Sequence, residues 1–149
     1  MPPLPHQATC VAIGTRALLI EGAPGSGKSS LALALIDRGA VLVGDDSVML
    51  EARGGRLIAL PHPETRGLLE VRNLGLLPFP LRDEAAVALV LALDPDAPRY
   101  PDQAEAVRRA GIALPLLRLR PASPVLHLKA ELALERYGID PCQTSATQP

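Results

Sequence analysis

Short apolar runs separated by glycine-rich turns dominate the first sixty residues. Thr9–Ile13 and Ala17–Glu21 flank Gly14-Thr15-Arg16 and predict a hairpin. The pattern then changes period: Leu31, Leu35 and Ile36 share one face of a helix expected over Lys28–Arg38. Arg38-Gly39 supplies a cation in the last turn and a glycine for the left-handed residue beyond it. Val41–Val43 predicts a short buried strand, interrupted by Gly44-Asp45-Asp46. Val48–Ala52 and Leu57–Leu60 predict a second hairpin about Arg53–Arg56.

Pro61–Pro80 holds four prolines and many polar residues, and predicts a long loop with an ordered piece near Leu68–Leu76. Val87–Leu93 is apolar on both faces, as a central strand requires. Beyond it the pattern predicts a loop over Pro95–Pro101, a short helix over Gln103–Ala110, a strand over Leu114–Leu119 and a helix over Val125–Tyr137. Leu128, Leu132 and Ala133 are expected to face inward on that helix, and the residues after Gly138 to fray.

Composition narrows the function. The chain has 149 residues, 48% hydrophobic and 21% charged, with a net charge of −1, which suits one domain with a single aliphatic core. With three aromatic residues (Phe79, Tyr100, Tyr137) and no basic excess, it lacks the features of a nucleic-acid binder. The longest apolar run, Ala85–Leu93, is too short for a membrane span, and the first six residues do not resemble a signal peptide. Cys10 and Cys142 lack metal-ligand spacing and read as free thiols of a cytoplasmic protein.

The strongest chemical signal is Gly22-Ala23-Pro24-Gly25-Ser26-Gly27-Lys28-Ser29, a full match to G-x-x-x-x-G-K-[ST] between a strand and a helix. Such a loop turns backbone N–H groups toward phosphate oxygens at the positive end of a helix. Lys28 would neutralise the β- and γ-phosphates, and Ser29 would offer its hydroxyl to Mg²⁺. Lys28 is one of only two lysines, which makes an accidental match improbable.

An acid must complete such a site. Asp94 ends an apolar strand, but Asp94-Pro95-Asp96 is ordinary turn chemistry. Asp45-Asp46 follows Val-Leu-Val-Gly. In an extended segment one of the two would face the phosphates, as a general base, and the other would face away. Asp46 is the preferred base. Glu70 could share a metal with Ser29 or be an exposed strand residue. Arg72 could contact phosphate or acceptor, or simply pair with Glu70. By default His6 is a solvated histidine of a proline-rich terminus, Arg99 a surface cation, and His127 a structural helix residue.

In order, His6, the loop, Leu-Ala-Leu-Ala-Leu-Ile-Asp-Arg-Gly, Asp45-Asp46 and Leu-Leu-Glu-Val-Arg-Asn-Leu-Gly at 68–75 closely resemble the catalytic domain of bacterial HPr kinase/phosphorylase. The likeness spans about residues 6–137 and weakens after Pro80. The chain resembles the short single-domain form of alphaproteobacteria, without the N-terminal domain of longer members. The resemblance implies an α/β P-loop domain with a mixed, partly antiparallel sheet, similar to the nucleotide-binding part of phosphoenolpyruvate carboxykinase. It also implies a ring-like hexamer.

The implied reaction is ATP-dependent phosphorylation of a serine on the phosphocarrier HPr, reversed in many members by inorganic phosphate with release of pyrophosphate. By resemblance, Lys28 is the loop lysine, Ser29 the Mg²⁺-bound serine, Asp46 the catalytic aspartate and Glu70 the Mg²⁺-side glutamate. His6 matches the active-site histidine at a spacing one residue longer, and Arg99 matches a catalytic arginine of a later loop. Arg118–Ser123 resembles the dephosphorylation segment, with Arg120 its basic residue. Ser30, Asn73 and Ser123 depart from the family pattern, Ser30 standing beside the loop where an acid is frequent. A small-molecule kinase or ATPase, and a non-catalytic ATP sensor, are the other readings of the same loop.

Overall fold

The computed structural model describes residues 2–141. It contains β1 (Leu4–His6), β2 (Thr9–Ile13), β3 (Arg16–Gly22), α1 (Lys28–Asp37), β4 (Val41–Gly44), β5 (Val48–Arg53) and β6 (Arg56–Pro61). After these come β7 (Leu68–Val71), β8 (Gly75–Pro78), β9 (Ala85–Leu93), β10 (Glu105–Arg109), β11 (Ile112–Leu119) and α2 (Leu126–Tyr137). The expected hairpins, the first helix and the central strand are all present.

Nine strands form one mixed sheet in the order β1-β5-β6-β9-β3-β2-β4, with β11 also against β9 and β10 outside it. β9 runs parallel to β3 and β11 and antiparallel to β6. The carboxyl ends of β3, β9 and β11 therefore point the same way, toward the glycine-rich turn after Gly22. On one face, α1, α2 and Leu69 of β7 cover Leu18, Ile20, Leu89 and Leu91. The opposite face carries a second aliphatic cluster, in which Val43 and Val48 meet Leu57, Val87 and Leu116.

Between Ala17 and Leu18 the β3–β9 register slips, leaving Ala88 unmatched. The Ala88 carbonyl instead accepts the backbone N–H of Ile139 at 3.0 Å. A bulge thus frees one sheet carbonyl, and the chain after α2 uses it. The expected fraying after Gly138 is corrected at Ile139, which also packs on the core; the remainder of that expectation, from residue 142 onward and including Cys142, lies outside the described residues.

Two other expectations are corrected, at β10 and on α2. The segment expected as a helix over Gln103–Ala110 contains β10, paired antiparallel with β11 across the Ala110-Gly111 turn. Its alanines and charges suit a helix, but pairing with the β11 edge prevails. The ordered piece expected near Leu68–Leu76 within the long loop Pro61–Pro80 is present as a two-stranded sheet, β7–β8, turning at Asn73, which adopts a left-handed φ of 73°. On α2 the buried residues are Leu126, Ala130, Ala133 and Leu134, whereas Leu132 is 63% exposed. Small Ala130 and Ala133 let the helix approach the sheet closely, leaving the larger Leu132 outside. Within the proline-rich terminus, Leu4–His6 is an edge strand on β5.

Candidate functional site

The glycine-rich turn leaves β3 at Gly22 and enters α1 at Lys28. A Cβ on Gly22 would lie 2.6 Å from Ser26 Oγ and 3.2 Å from the Leu93 carbonyl, so only glycine fits without displacing the loop. Ser26 N–H closes a turn on the Ala23 carbonyl at 3.0 Å. Gly27 caps the helix at a left-handed φ of 103°, a conformation that side chains rarely adopt. No acidic residue occupies the first turn of α1, so the positive end of the helix is not compensated from within.

Lys28 is only 8% exposed. Its ammonium donates to the carbonyls of Gly22 and Ala23 at 2.9 and 3.2 Å, which folds the charge back over the loop.

A cleft of about 290 Å³ opens over this turn. Pro24, Gly25, Gly27, Lys28, Ser29 and Ser30 form one wall, and Asp46, Glu70 and Arg72 face them. Residues spread over nearly fifty positions of sequence thus converge on one site, and most of its lining is polar or charged.

The two adjacent aspartates depart from the alternation expected of a strand. β4 ends at Gly44, and Asp46 adopts a left-handed φ of 65°. The turn lets both side chains serve the cleft: Asp46 lines it, while Asp45, 6% exposed, lies beneath it. The expectation that the partner of Asp46 faces away from the loop is therefore corrected. Asp45 Oδ1 accepts from Ser29 Oγ at 2.6 Å and from Thr9 Oγ1 at 3.0 Å, and Oδ2 accepts from the Glu70 N–H at 2.9 Å. One carboxylate joins β2, α1 and β7 at the base of the cleft.

Thr9 carries no local sequence signal. Fully buried, it donates to Asp45 and accepts the Asp46 N–H at 3.2 Å, which fixes the turn that presents Asp46.

His6, Arg99 and Arg120 do not line the cleft. His6 Nε2 lies 2.7 Å from Glu21 Oε2, and Arg109 grips the same carboxylate with two bonds of 2.9 and 2.7 Å. Burial alone would raise the Glu21 carboxyl, but hydrogen bonds from Arg109 and His6 outweigh it and bring the pKa from 4.5 to about 2. The Arg99 guanidinium sits 5.4 Å from the Tyr100 ring centre, and Arg120 Nε donates to the Ala97 carbonyl at 2.7 Å. Asp94 behaves as turn chemistry, its Oδ1 accepting the Asp96 N–H at 2.8 Å.

The donors near Ser29 are hard oxygens: its own hydroxyl, Asp45 and the Glu70 carboxylate. Among the described residues no three His, Cys, Asp or Glu side chains gather into a metal cage. A Mg²⁺ ion that keeps waters and phosphate oxygens needs only one or two protein oxygens, and this donor set fits it.

Fold and site together define an α/β protein whose mixed sheet delivers a glycine-rich loop, a lysine and two aspartates to one polar cleft. The HPr Serine kinase C-terminal domain model matches residues 5–81, and the chain belongs to that family. The HPr kinase/phosphorylase of Clostridium tetani is 48% identical over 63 residues, 42% of this chain and 21% of that protein. That of Mycoplasma mycoides is 37% identical over 71 residues, 48% of this chain and 22% of that protein. The chain thus spans about a fifth of the length of these curated relatives. The structure of the Hpr(Ser) kinase/phosphatase from Coxiella burnetii superposes with a TM-score of 0.79 at 26% identity, covering 89% of this chain and 94% of that one. No helix among the described residues is long and apolar enough to cross a membrane.

Proposed function

We propose that this chain transfers the γ-phosphoryl group of ATP to a serine hydroxyl of the phosphocarrier HPr. The observation that carries the reading is the convergence of Lys28, Ser29, Asp46, Glu70 and Arg72 on one cleft over a glycine-rich loop. The names of its relatives support the choice of acceptor.

The loop amides and the positive end of α1 bind the phosphate chain, and Lys28 exchanges its loop carbonyls for β- and γ-phosphate oxygens. Ser29, with Asp45 and Glu70 beside it, would hold Mg²⁺, which would supply charge neutralisation on the transferred group. Asp46 accepts the serine proton as the serine oxygen bonds to the γ-phosphorus and the bond to the β–γ bridging oxygen breaks, releasing ADP. Arg72 lies where it can hold a phosphate oxygen or orient the acceptor. In the reverse direction inorganic phosphate attacks the serine phosphate, Asp46 returns the proton to the serine, and pyrophosphate leaves. No step in this scheme needs His6, Arg99 or Arg120.

The fold kinship with the nucleotide-binding part of phosphoenolpyruvate carboxykinase, the hexamer and the cytoplasmic location belong to the same proposal, on the resemblance in sequence. Incubation of the purified protein with labelled ATP, Mg²⁺ and HPr tests it. Labelled phosphoserine on HPr is expected; ATP binding without transfer to HPr overturns the kinase assignment. Rapid phosphorylation of sugars or nucleosides instead would favour a small-molecule kinase.

A further inference from the structure

Glu70 and Arg72 reach the cleft from β7 and the turn after it, on a two-stranded sheet separate from the main one. That hairpin is firmly held. Leu69 is fully buried in the core, Asp45 Oδ2 accepts the Glu70 N–H at 2.9 Å, and the Phe79 N–H donates to the Gly67 carbonyl at 2.9 Å across its base.

Register decides what the hairpin presents to the cleft. Leu69 and Val71 turn to the core, so Glu70 between them projects from the opposite face. Glu70 pairs directly with Leu76. Residues opposite one another on antiparallel strands share a face, with Cβ atoms about 5 Å apart. Leu76 therefore stands beside Glu70 at the rim of the cleft. It is 65% exposed, and Leu74, at the tip of the hairpin, is 71% exposed. These are the two most exposed large aliphatic side chains among the described residues.

Nucleotide chemistry has no use for them. The residues lining the cleft are charged, serine, glycine or proline, as phosphate and a metal ion require. Two leucines held in water beside such a site gain only when an apolar group covers them. Asp46, Glu70 and Arg72 face the glycine-rich loop across the cleft. An acceptor that delivers a hydroxyl to Asp46 enters on their side, and the groups flanking that hydroxyl come to rest over Leu76. A sugar is polar throughout and gains nothing there. In a polypeptide, successive Cα atoms are about 3.8 Å apart, so a neighbour of the serine reaches from the cleft to its rim.

We infer that Leu76 and Leu74 form a docking ledge for the acceptor protein, packing against an apolar side chain one or two residues from the target serine. The inference rests on the proposed transfer to a protein serine, and the test keeps the two apart. Transfer to HPr is followed for the wild type, Leu76→Ala, Leu74→Ala, the double variant and Leu76→Met, giving kcat, the KM for HPr and the affinity for Mg²⁺-ATP. Thermal melting confirms each fold, and sedimentation gives each assembly state.

Covering a leucine at a docking surface strengthens association roughly tenfold or more. Leu76→Ala should raise the KM for HPr by about that factor and leave kcat and ATP affinity within about twofold of the wild type. Leu74→Ala should act in the same direction, the double variant should exceed either, and Leu76→Met should restore most of the loss. An unchanged KM for HPr in the folded double variant overturns the ledge. So does an equal loss of ATP affinity, which would place the nucleotide on it, or dissociation of an assembly that the wild type forms, which would make it a contact between copies. If the wild type binds ATP and transfers nothing to HPr, the kinase reading falls, and the ledge as an acceptor site falls with it.

Discussion

Ser29 donates its hydroxyl to Asp45 Oδ1 at 2.6 Å, linking the first turn of α1 to the end of β4. The same carboxylate takes Thr9 and the Glu70 N–H, so it organises the base of the cleft more than it faces a ligand. Asp45→Ala leaves three donors without their acceptor. It should cost about 3 kcal/mol of stability by denaturant titration and raise the Mg²⁺ concentration needed for half-maximal transfer. Asp45→Asn, which keeps an acceptor oxygen, should cost less than half as much.

Thr9→Val preserves shape and removes a hydroxyl that bridges Asp45 and the Asp46 N–H. The expected loss is about 1–2 kcal/mol of stability. Because the hydroxyl fixes the turn at Asp46, the rate of transfer should fall several-fold further than nucleotide affinity does. Equal losses in both would assign Thr9 a purely structural role.

Glu21 ties the carboxyl end of β3 to β1 through His6 and to β10 through Arg109. Its pKa is depressed on folding from 4.5 to about 2. The stabilisation is therefore complete above about 4.5 and is lost as pH falls from there toward 2. It amounts to something on the order of 2 kcal/mol. Glu21→Gln should lower stability at neutral pH and flatten this acid limb in pH-dependent unfolding.

Cys10 is completely buried in β2, and burial pushes its thiol up to about 12. Alkylation under mildly alkaline, native conditions should leave Cys10 unmodified, and unfolding should expose it. Peptide mass spectrometry separates this residue from Cys142.

The loop and its flanking elements were legible because eight consecutive residues carry their whole logic: glycines for the turn, a lysine, a hydroxyl, then a helix. The tight hairpins were legible for the same local reason. The role of Asp45 was not, since it depends on Thr9, 36 residues away, and on Glu70, 25 residues away, arriving at one carboxylate. The pattern around Asp45-Asp46 suggested an alternating strand, and the left-handed φ of Asp46 breaks that alternation. β10 is not legible in the sequence because Glu105–Arg109 has helical composition, and the neighbouring β11 edge makes it a strand. The exposure of Leu132 is not legible either, because spacing defines a helix face without showing which face the sheet will cover.

The account depends on Asp46 accepting the acceptor's proton in the cleft beside Lys28 and Ser29. Single-turnover transfer from ATP to HPr by Asp46→Asn, with nucleotide affinity measured on the same sample, tests this most directly. The exposed position of Asp46 predicts an intact fold, ATP affinity close to that of the wild type, and transfer reduced roughly 10²–10⁴-fold. A folded Asp46→Asn protein that phosphorylates HPr at a near-normal rate would contradict it.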